Sequence, residues 1–250
     1  MPFDLTLLDV TALAFFAVVW IGYGLVMDRP RALIGDSLNQ RLRTIRRAWM
    51  GELLKRENRM PDAALLGHLI HSVSFFASAT LLVIAALSGA FGALDTVHSA
   101  LSELAVTGPA ISRRALEARF LLLLVIFVYA FFKFTWAIRQ YNYCCALIGA
   151  APPASERIAP ERRAAIARQA AEVLSVAVFT FNGGLRAYYF ALAALGWFVH
   201  PLVFIAAVLW IVLVLLRRQF LSHTRRSIEA YEDALDQHRR AEGAPGLNRE

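Results

Sequence analysis

The chain has few lysines, few cysteines and no carboxylate in the core of its apolar segments. Lys55 and Lys133 are the only lysines among 26 basic residues, a bias that reflects either genomic composition or function. Cys144 and Cys145 are adjacent, and neighbouring residues on a helix point in different directions, so no disulfide framework is expected. Because proton- and sodium-driven transporters commonly use an intramembrane carboxylate, its lack disfavours a cation-coupled transporter.

Recognisable catalytic and cofactor motifs are missing too. The sequence has no nucleophile elbow, P-loop or dinucleotide fingerprint, so we expect no catalytic residues, no cofactor and no enzymatic activity. His68 and His71 have the spacing of metal ligands, but no carboxylate or cysteine stands at a matching position, and we expect no metal site. The start, MPFDLTLLD, is acidic where a cleavable signal peptide needs positive charge.

Apolar residues are abundant instead. They make up 58% of the 250 residues, and the mean hydropathy of +0.51 exceeds that of ordinary soluble domains. Five segments have the character of membrane spans, namely 7–27, 68–91, 120–138, 185–199 and 201–216. We therefore predict an all-α, polytopic integral membrane helical bundle with about five transmembrane helices.

The fourth and fifth segments leave an alternative open. Both are short, and they meet at Pro201, which favours a turn or break. The fourth extends backwards through a mixed stretch that ends in an Asn-Gly-Gly interruption at 182–184. Four spans plus a re-entrant hairpin is therefore the alternative to five crossings.

The positions of the basic residues predict the topology. Of the 26 basic residues, 21 lie in the segment between the first and second spans, in the segment between the third and fourth spans, or after the fifth span. The other five are Arg113, Arg114, Arg119, Lys133 and Arg186. By the positive-inside rule, those segments are cytoplasmic, the N-terminus is outside and the C-terminus is inside. We expect a multi-pass protein of a bacterial inner (plasma) membrane. Residues 1–221 would form the membrane domain, and 222–250 a cytoplasmic helical tail with a disordered end.

The net charge of +7 is thus explained by topology, and we expect no nucleic-acid partner. Within the first inner loop, residues 36–59 predict a basic amphipathic cytoplasmic helix, suited to lying on anionic lipids of the inner leaflet. Packing over the cytoplasmic mouth of the bundle is the equal alternative. The candidate lipid-headgroup contacts are Arg41, Arg46, Arg47, Trp49, Lys55 and Arg56.

The third segment carries a polar stripe at helical spacing, which in a membrane helix usually faces protein or water. Its Lys133 offers a buried cation for an anionic substrate or headgroup; the alternative is that it snorkels to the inner interface. Arg186, just after the Asn-Gly-Gly, is a second cation, which the positive-inside rule alone also explains. The candidate pathway or ligand-facing residues are Lys133, Arg186, Asn182, Tyr129, Trp136 and Gln140.

The second segment carries small or polar residues at helical spacing, at 67, 71, 74, 78, 85 and 92. Small residues let membrane helices approach closely, so we interpret this stripe as a packing face, with a pore-lining face as the alternative. A short bundle with such stripes is expected to form a homo-oligomer.

Several stretches together resemble one protein family. They are NQRLRTIRRAWM (39–50), LLKREN (53–58), HSVSFFAS (71–78), LLLLVIFVYAFFKFTWAIRQYNY (121–143), FNGGLRAYYFALAALGWFVHP (181–201) and RRQF (217–220). The chain resembles, over roughly residues 7 to 225, a bacterial and plant family of multi-span proteins of unknown function. The resemblance implies membrane class and transfers no functional residue.

Two functions are compatible with these features. The first is a channel or transporter-like oligomer, for an anion rather than a cation because the membrane-embedded charges are Lys133 and Arg186. The alternative is a non-enzymatic scaffold or accessory membrane subunit that binds lipid headgroups or a partner protein. We rank the first above the second.

Overall fold

The computed structural model describes residues 5–28, 38–104, 112–220 and 222–241. Within these ranges the chain forms only helices, and five of them are long and apolar enough to cross a membrane. The α-helices are α1 (Leu7–Asp28), α2 (Leu38–Leu53), α3 (Met60–Gly92), α4 (Leu94–Leu104), α5 (Arg113–Gly149), α6 (Pro160–Leu195), α7 (Pro201–Phe220) and α8 (His223–Ala241). The predicted all-α, polytopic helical bundle with about five spans is confirmed.

The helices long and apolar enough to cross a membrane are α1, α3, α5, α6 and α7. Four of the five apolar segments lie wholly within one of these helices, whereas the fourth, 185–199, continues past the end of α6 at Leu195. The largest difference concerns α6, which begins at Pro160 and runs without interruption to Leu195. Residues 182–184 therefore lie inside a continuous helix, where the sequence indicated a weak point. The basic amphipathic helix is α2, and α8 occupies the predicted tail. The predicted disorder at the end of that tail lies outside the described residues.

Local sequence explains where the helices begin. In α1, the Asp9 backbone N–H donates to Thr6 Oγ1 and the Thr6 N–H donates to Asp9 Oδ2, a reciprocal capping box. Ser112 caps α5 by accepting from the Ala115 N–H. Pro160 occupies the first position of its helix, where a missing N–H costs nothing.

The chain divides into two compact units. The first comprises Met1–Met27, Phe75–Phe134 and Asn182–Val214, and the second comprises Asp28–Ser74, Thr135–Phe181 and Leu215–Glu250. Aromatic rings fill the core of the first unit, where Phe16 contacts Phe190 and Phe204 at centroid distances of 5.9 and 5.2 Å. Such ring pairs stabilise a core beyond their area burial.

The second unit has its own core beneath α2. Its buried residues come from three helices: Met50 and Leu53 from α2, Tyr141 and Cys144 from α5, and Leu174 from α6. Because the apolar residues of α2 are buried on one side of the helix, its basic residues are distributed around the other sides.

A short 3-10 helix, Gly196–Phe198, joins α6 to α7. Glycine at its first position avoids a tight contact, since a Cβ on Gly196 would lie 3.2 Å from Phe204 Cα and 3.2 Å from the Val203 carbonyl oxygen. Backbone atoms cannot move aside as a flexible side chain can. The turn therefore brings the first turn of α7 close against the end of α6.

Candidate functional site

Two cations of the first unit meet beside Gly183. Lys133 lies on α5 and Arg186 on α6, and both side chains are half-buried. A Cβ built on Gly183 would lie 3.5 Å from Lys133 Cδ and 3.7 Å from Arg186 Nη2. Both side chains therefore reach the same point on the surface of α6, which makes these two predicted residues one cluster. We call Lys133, Gly183 and Arg186 the cation cluster.

An aromatic ring, rather than a carboxylate, lies next to the lysine ammonium. Lys133 Nζ is 5.4 Å from the centroid of the Tyr129 ring, and Tyr129 in turn makes an edge contact with Trp20 at 5.4 Å. Within the described ranges, no acidic side chain forms an ion pair with Lys133. A cation–π contact is attractive but leaves the positive charge in place.

The remaining candidates of the polar stripe lie in different surroundings. Asn182 precedes Gly183 on α6 and is half-buried. Trp136 and Gln140 belong to the second unit, where Trp136 is 50% exposed and its ring lies 5.9 Å from the Arg139 guanidinium carbon. Gln140 is half-buried. Their pathway role stays a prediction.

A second charged group of the first unit was not predicted from the sequence. Asp9 of α1 and Arg119 of α5 are both almost fully buried, and Arg119 Nη2 lies 3.7 Å from Asp9 Oδ1. The Trp197 indole N–H donates to the same carboxylate oxygen at 2.8 Å, and the Arg119 guanidinium lies over the Trp197 ring. A buried carboxylate therefore does occur near one end of a span, and it is matched by a buried arginine.

The arginines of α2 are engaged by carboxylates of the second unit. Arg41 donates to Glu229 at 2.8 Å and to Glu232 at 3.2 Å, both on α8. Glu172 of α6 accepts from two arginines at once, through Arg47 at 2.8 Å and through a short contact with Arg43. Ion pairs thus hold α2 to both neighbouring helices, and contact of these groups with lipid headgroups stays a prediction.

Arg46 differs from these because its partners are neutral. Its Nε donates to Ser175 Oγ at 2.9 Å and its Nη2 to the Asn39 carbonyl at 3.4 Å. Burial lowers the pKa of Arg46 to about 10, with Tyr141 nearby opposing the shift and Arg43 adding to it. Arg46 therefore remains charged at neutral pH, at an energetic cost.

The other α2-region candidates lie at the junction with α3. Trp49 Nε1 and Arg56 Nη1 both donate to Asp62 Oδ1, at 2.7 and 2.6 Å, and Asp62 is fully buried. Lys55 makes an exposed pair with Glu52 at 2.7 Å. Tryptophan and arginine here fix the start of α3, a role that the sequence interpretation of this helix did not include.

We expect Glu172→Gln to lower the free energy of unfolding by about 2 kcal/mol, since charge-assisted hydrogen bonds contribute about 1.5 to 3 kcal/mol and this site is partly exposed. Chemical unfolding of the full chain in detergent measures the change. Glu52→Gln is the matched control, because its pair with Lys55 is exposed and contributes about 0 to 1 kcal/mol. Equal losses in the two variants would contradict a stabilising role for Glu172.

In the part of the chain that the structure describes, no three His, Cys, Asp or Glu residues are grouped so that they could hold a metal ion. A protein-family model described as "Protein of unknown function, DUF599" matches residues 11–224. No curated protein and no solved structure matches the chain.

Proposed function

The chain belongs to the DUF599 family, whose description assigns no function, and we propose from its own residues that it is an anion channel or anion transporter. The observation that carries this proposal is the cation cluster, in which Lys133 and Arg186 reach the same point on a membrane-crossing helix. An anion held between them would be the transported species.

The charge balance of the cluster favours an anion. Two like charges held close together in a medium of low dielectric constant repel each other, and an anion between them relieves that repulsion. Arginine and lysine side chains line anion and phosphate pores for this reason. The buried carboxylate of the first unit, Asp9, is paired with Arg119 and Trp197. Within the described ranges no carboxylate forms an ion pair with Lys133, and its contact with the Tyr129 ring leaves its positive charge in place.

Packing supports a fixed position for the lysine. The Lys133 stem lies against the bare backbone of Gly183, with Cδ and Cε both in ordinary van der Waals range of where a Cβ would stand. The contact with Tyr129 fixes the other side of the ammonium. A cation whose stem and head are both held is preorganised for a ligand, which reduces the entropic cost of binding.

We further propose that the protein acts as a homo-oligomer in a bacterial inner membrane, with its C-terminus in the cytoplasm. The distribution of basic residues supports this orientation. The small-residue stripe of α3 supports self-association, because His71, Ser78, Ala85 and Gly92 of that stripe are exposed in the single chain. Such residues permit close approach of a helix from a second copy.

Flux through purified protein in liposomes tests the proposal, with chloride, phosphate, potassium and protons compared under imposed gradients. We expect selective anion flux that falls about tenfold or more in Lys133→Gln, the loss corresponding to one charge-assisted contact. Lys133→Arg should retain most of the flux because it keeps the charge. Lys55→Gln is the matched control, since it removes the other lysine from an exposed pair.

Two results would contradict the proposal. Unaltered anion flux in both Lys133→Gln and Arg186→Gln would remove the cation cluster from the pathway. No flux of any ion through protein verified as folded and inserted would favour the alternative, a non-enzymatic scaffold or accessory subunit.

A further inference from the structure

The second unit contains a half-open pocket of about 290 Å³. The end of α2, the end of α5 and the beginning of α6 form its walls, and the side chains that face it are mostly apolar. They include Met50 and Leu53 of α2, Leu147 and Ile148 of α5, and Ala165 and Ile166 of α6. The volume is close to the lower limit of ligand pockets, about 300 Å³, and well above the roughly 150 Å³ cavity that takes up benzene.

One arginine lines this pocket, and two more bind the backbone of residues that line it. Arg162 is exposed and lines the opening. Arg59 donates at 2.9 Å to the carbonyl of Ala151, which lines the pocket, and Arg163 donates at 2.7 Å to the carbonyl of Leu54, which lines it too. The pocket therefore combines an apolar interior with a positively charged edge.

The charge at this edge is not neutralised by the contacts described. Arg59 and Arg163 bind backbone carbonyls, which are neutral, and within the described ranges none of the three arginines forms an ion pair with a carboxylate. Three arginines of α2 differ in this respect: Arg41, Arg43 and Arg47 form ion pairs with Glu172, Glu229 and Glu232. Open positive charge therefore lies beside the pocket, where an anionic group would find donors.

We propose that this pocket binds one acyl chain of an anionic phospholipid, with the lipid phosphate against Arg162 and within reach of Arg59 and Arg163. A ligand with an apolar chain joined to an anionic head complements both parts of the site. The pocket lies at the ends of α5 and α6, two helices long and apolar enough to cross a membrane, so phospholipid is the amphiphile at hand.

The lining residues separate the two parts of the ligand. Ala165 faces the pocket with a side chain of one carbon, so Ala165→Trp fills the space for the acyl chain and leaves every arginine in place. Arg162→Gln removes charge from the rim and leaves the apolar walls intact. Arg157 is exposed, lies a few residues earlier on the chain and does not line the pocket, so Arg157→Gln is the matched control.

Native mass spectrometry of the full chain in detergent measures retention of added lipid. We expect the wild type to bind dioleoylphosphatidylglycerol about tenfold more tightly than dioleoylphosphatidylcholine, the difference made by one charge-assisted contact. Arg162→Gln should lose this preference, Ala165→Trp should lose binding of both lipids, and Arg157→Gln should bind as the wild type does. Glycerol 3-phosphate and phosphatidylglycerol with short acyl chains should bind more weakly than the long-chain lipid.

Several outcomes would overturn the proposal. Equal retention of the two dioleoyl lipids would show that the arginines do not recognise the anionic head. An equal loss of the preference in Arg157→Gln and Arg162→Gln would show general electrostatic attraction without a site. Tight binding of glycerol 3-phosphate, which has no acyl chain, would show that the arginines bind a soluble phosphate compound rather than a lipid. If Ala165→Trp does not melt cooperatively, Arg162→Gln and the short-chain lipid decide the question, because one is an exposed change and the other alters only the ligand.

Discussion

Asp9→Asn is expected to lower the free energy of unfolding by about 3 to 5 kcal/mol, the effect of leaving a buried charge without its partner. Asparagine preserves the shape of the side chain and can still accept from the Trp197 indole, 2.8 Å away in the wild type. It removes the negative charge beside Arg119, whose side chain is only 6% exposed, and it replaces Oδ2, which accepts from the Thr6 N–H, by an amide nitrogen that cannot accept. Arg119 would then be a buried cation with no carboxylate.

Unfolding of the full chain in detergent, followed by circular dichroism, measures this loss. Asp95→Asn is the matched control, because it is the same substitution in an exposed pair with Arg113, where we expect about 0 to 1 kcal/mol. A double variant, Asp9→Leu with Arg119→Met, should be less destabilised than Asp9→Asn, since it removes both charges together. Equal losses in Asp9→Asn and Asp95→Asn would contradict this account.

Gly184→Ala is expected to destabilise the fold by about 1 to 3 kcal/mol, the usual cost of overpacking a core. A Cβ at this position would overlap the Phe134 ring, with ring carbons Cδ1 and Cζ both 2.8 Å away. Phe134 is fully buried and contacts both Phe76 and Tyr188, so the ring has little room to move.

The neighbouring glycine provides the control. A Cβ on Gly183 would be 3.5 Å from its nearest neighbour, an ordinary contact, so Gly183→Ala should be neutral or stabilising by about 0.5 to 1 kcal/mol because alanine favours the helix. Thermal unfolding in detergent compares the two variants. Adding Phe134→Leu to Gly184→Ala should restore part of the lost stability. Similar melting of the two alanine variants would contradict the packing described here.

The continuity of α6 through these two glycines could not be predicted from the local sequence. Glycine has a low helix propensity, so the Asn-Gly-Gly at 182–184 indicated an interruption of the fourth span. Within α6 the lack of a side chain at Gly184 instead allows close approach of the Phe134 ring from α5. Propensity describes an isolated helix, whereas the need for a small residue arises only from the helix packed against it.

The carboxylate partners of the α2 arginines also could not be predicted from the local sequence. Hydropathy and the clustering of arginines were enough to predict five apolar helices and the basic helix α2, because both signals are local in sequence. The partners of those arginines are not local: Glu172 lies 129 residues from Arg43 and Glu229 lies 188 residues from Arg41. A helix that looks strongly basic in sequence can therefore be largely paired in the fold. The spacing of Glu229 and Glu232 on one face of α8 was the available signal.

The buried pair of Asp9 and Arg119 was missed for a related reason. Each residue lies near the end of its own span, where a charged residue is ordinary, and nothing local connects them. Lys133 and Arg186, by contrast, stood out individually as charges in apolar segments, and the structure brings them to one point.

Anion-dependent thermal stability tests the central proposal, that the cation cluster binds an anion, most directly. The melting temperature of the detergent-solubilised full chain is measured in chloride, phosphate and gluconate at constant ionic strength, for the wild type, Lys133→Gln and Lys55→Gln. A ligand that binds only the folded state raises the melting temperature. We predict a higher melting temperature in chloride or phosphate than in gluconate for the wild type and Lys55→Gln, and no difference for Lys133→Gln. Equal melting in all three salts, or a shift that Lys133→Gln retains, would contradict the proposal.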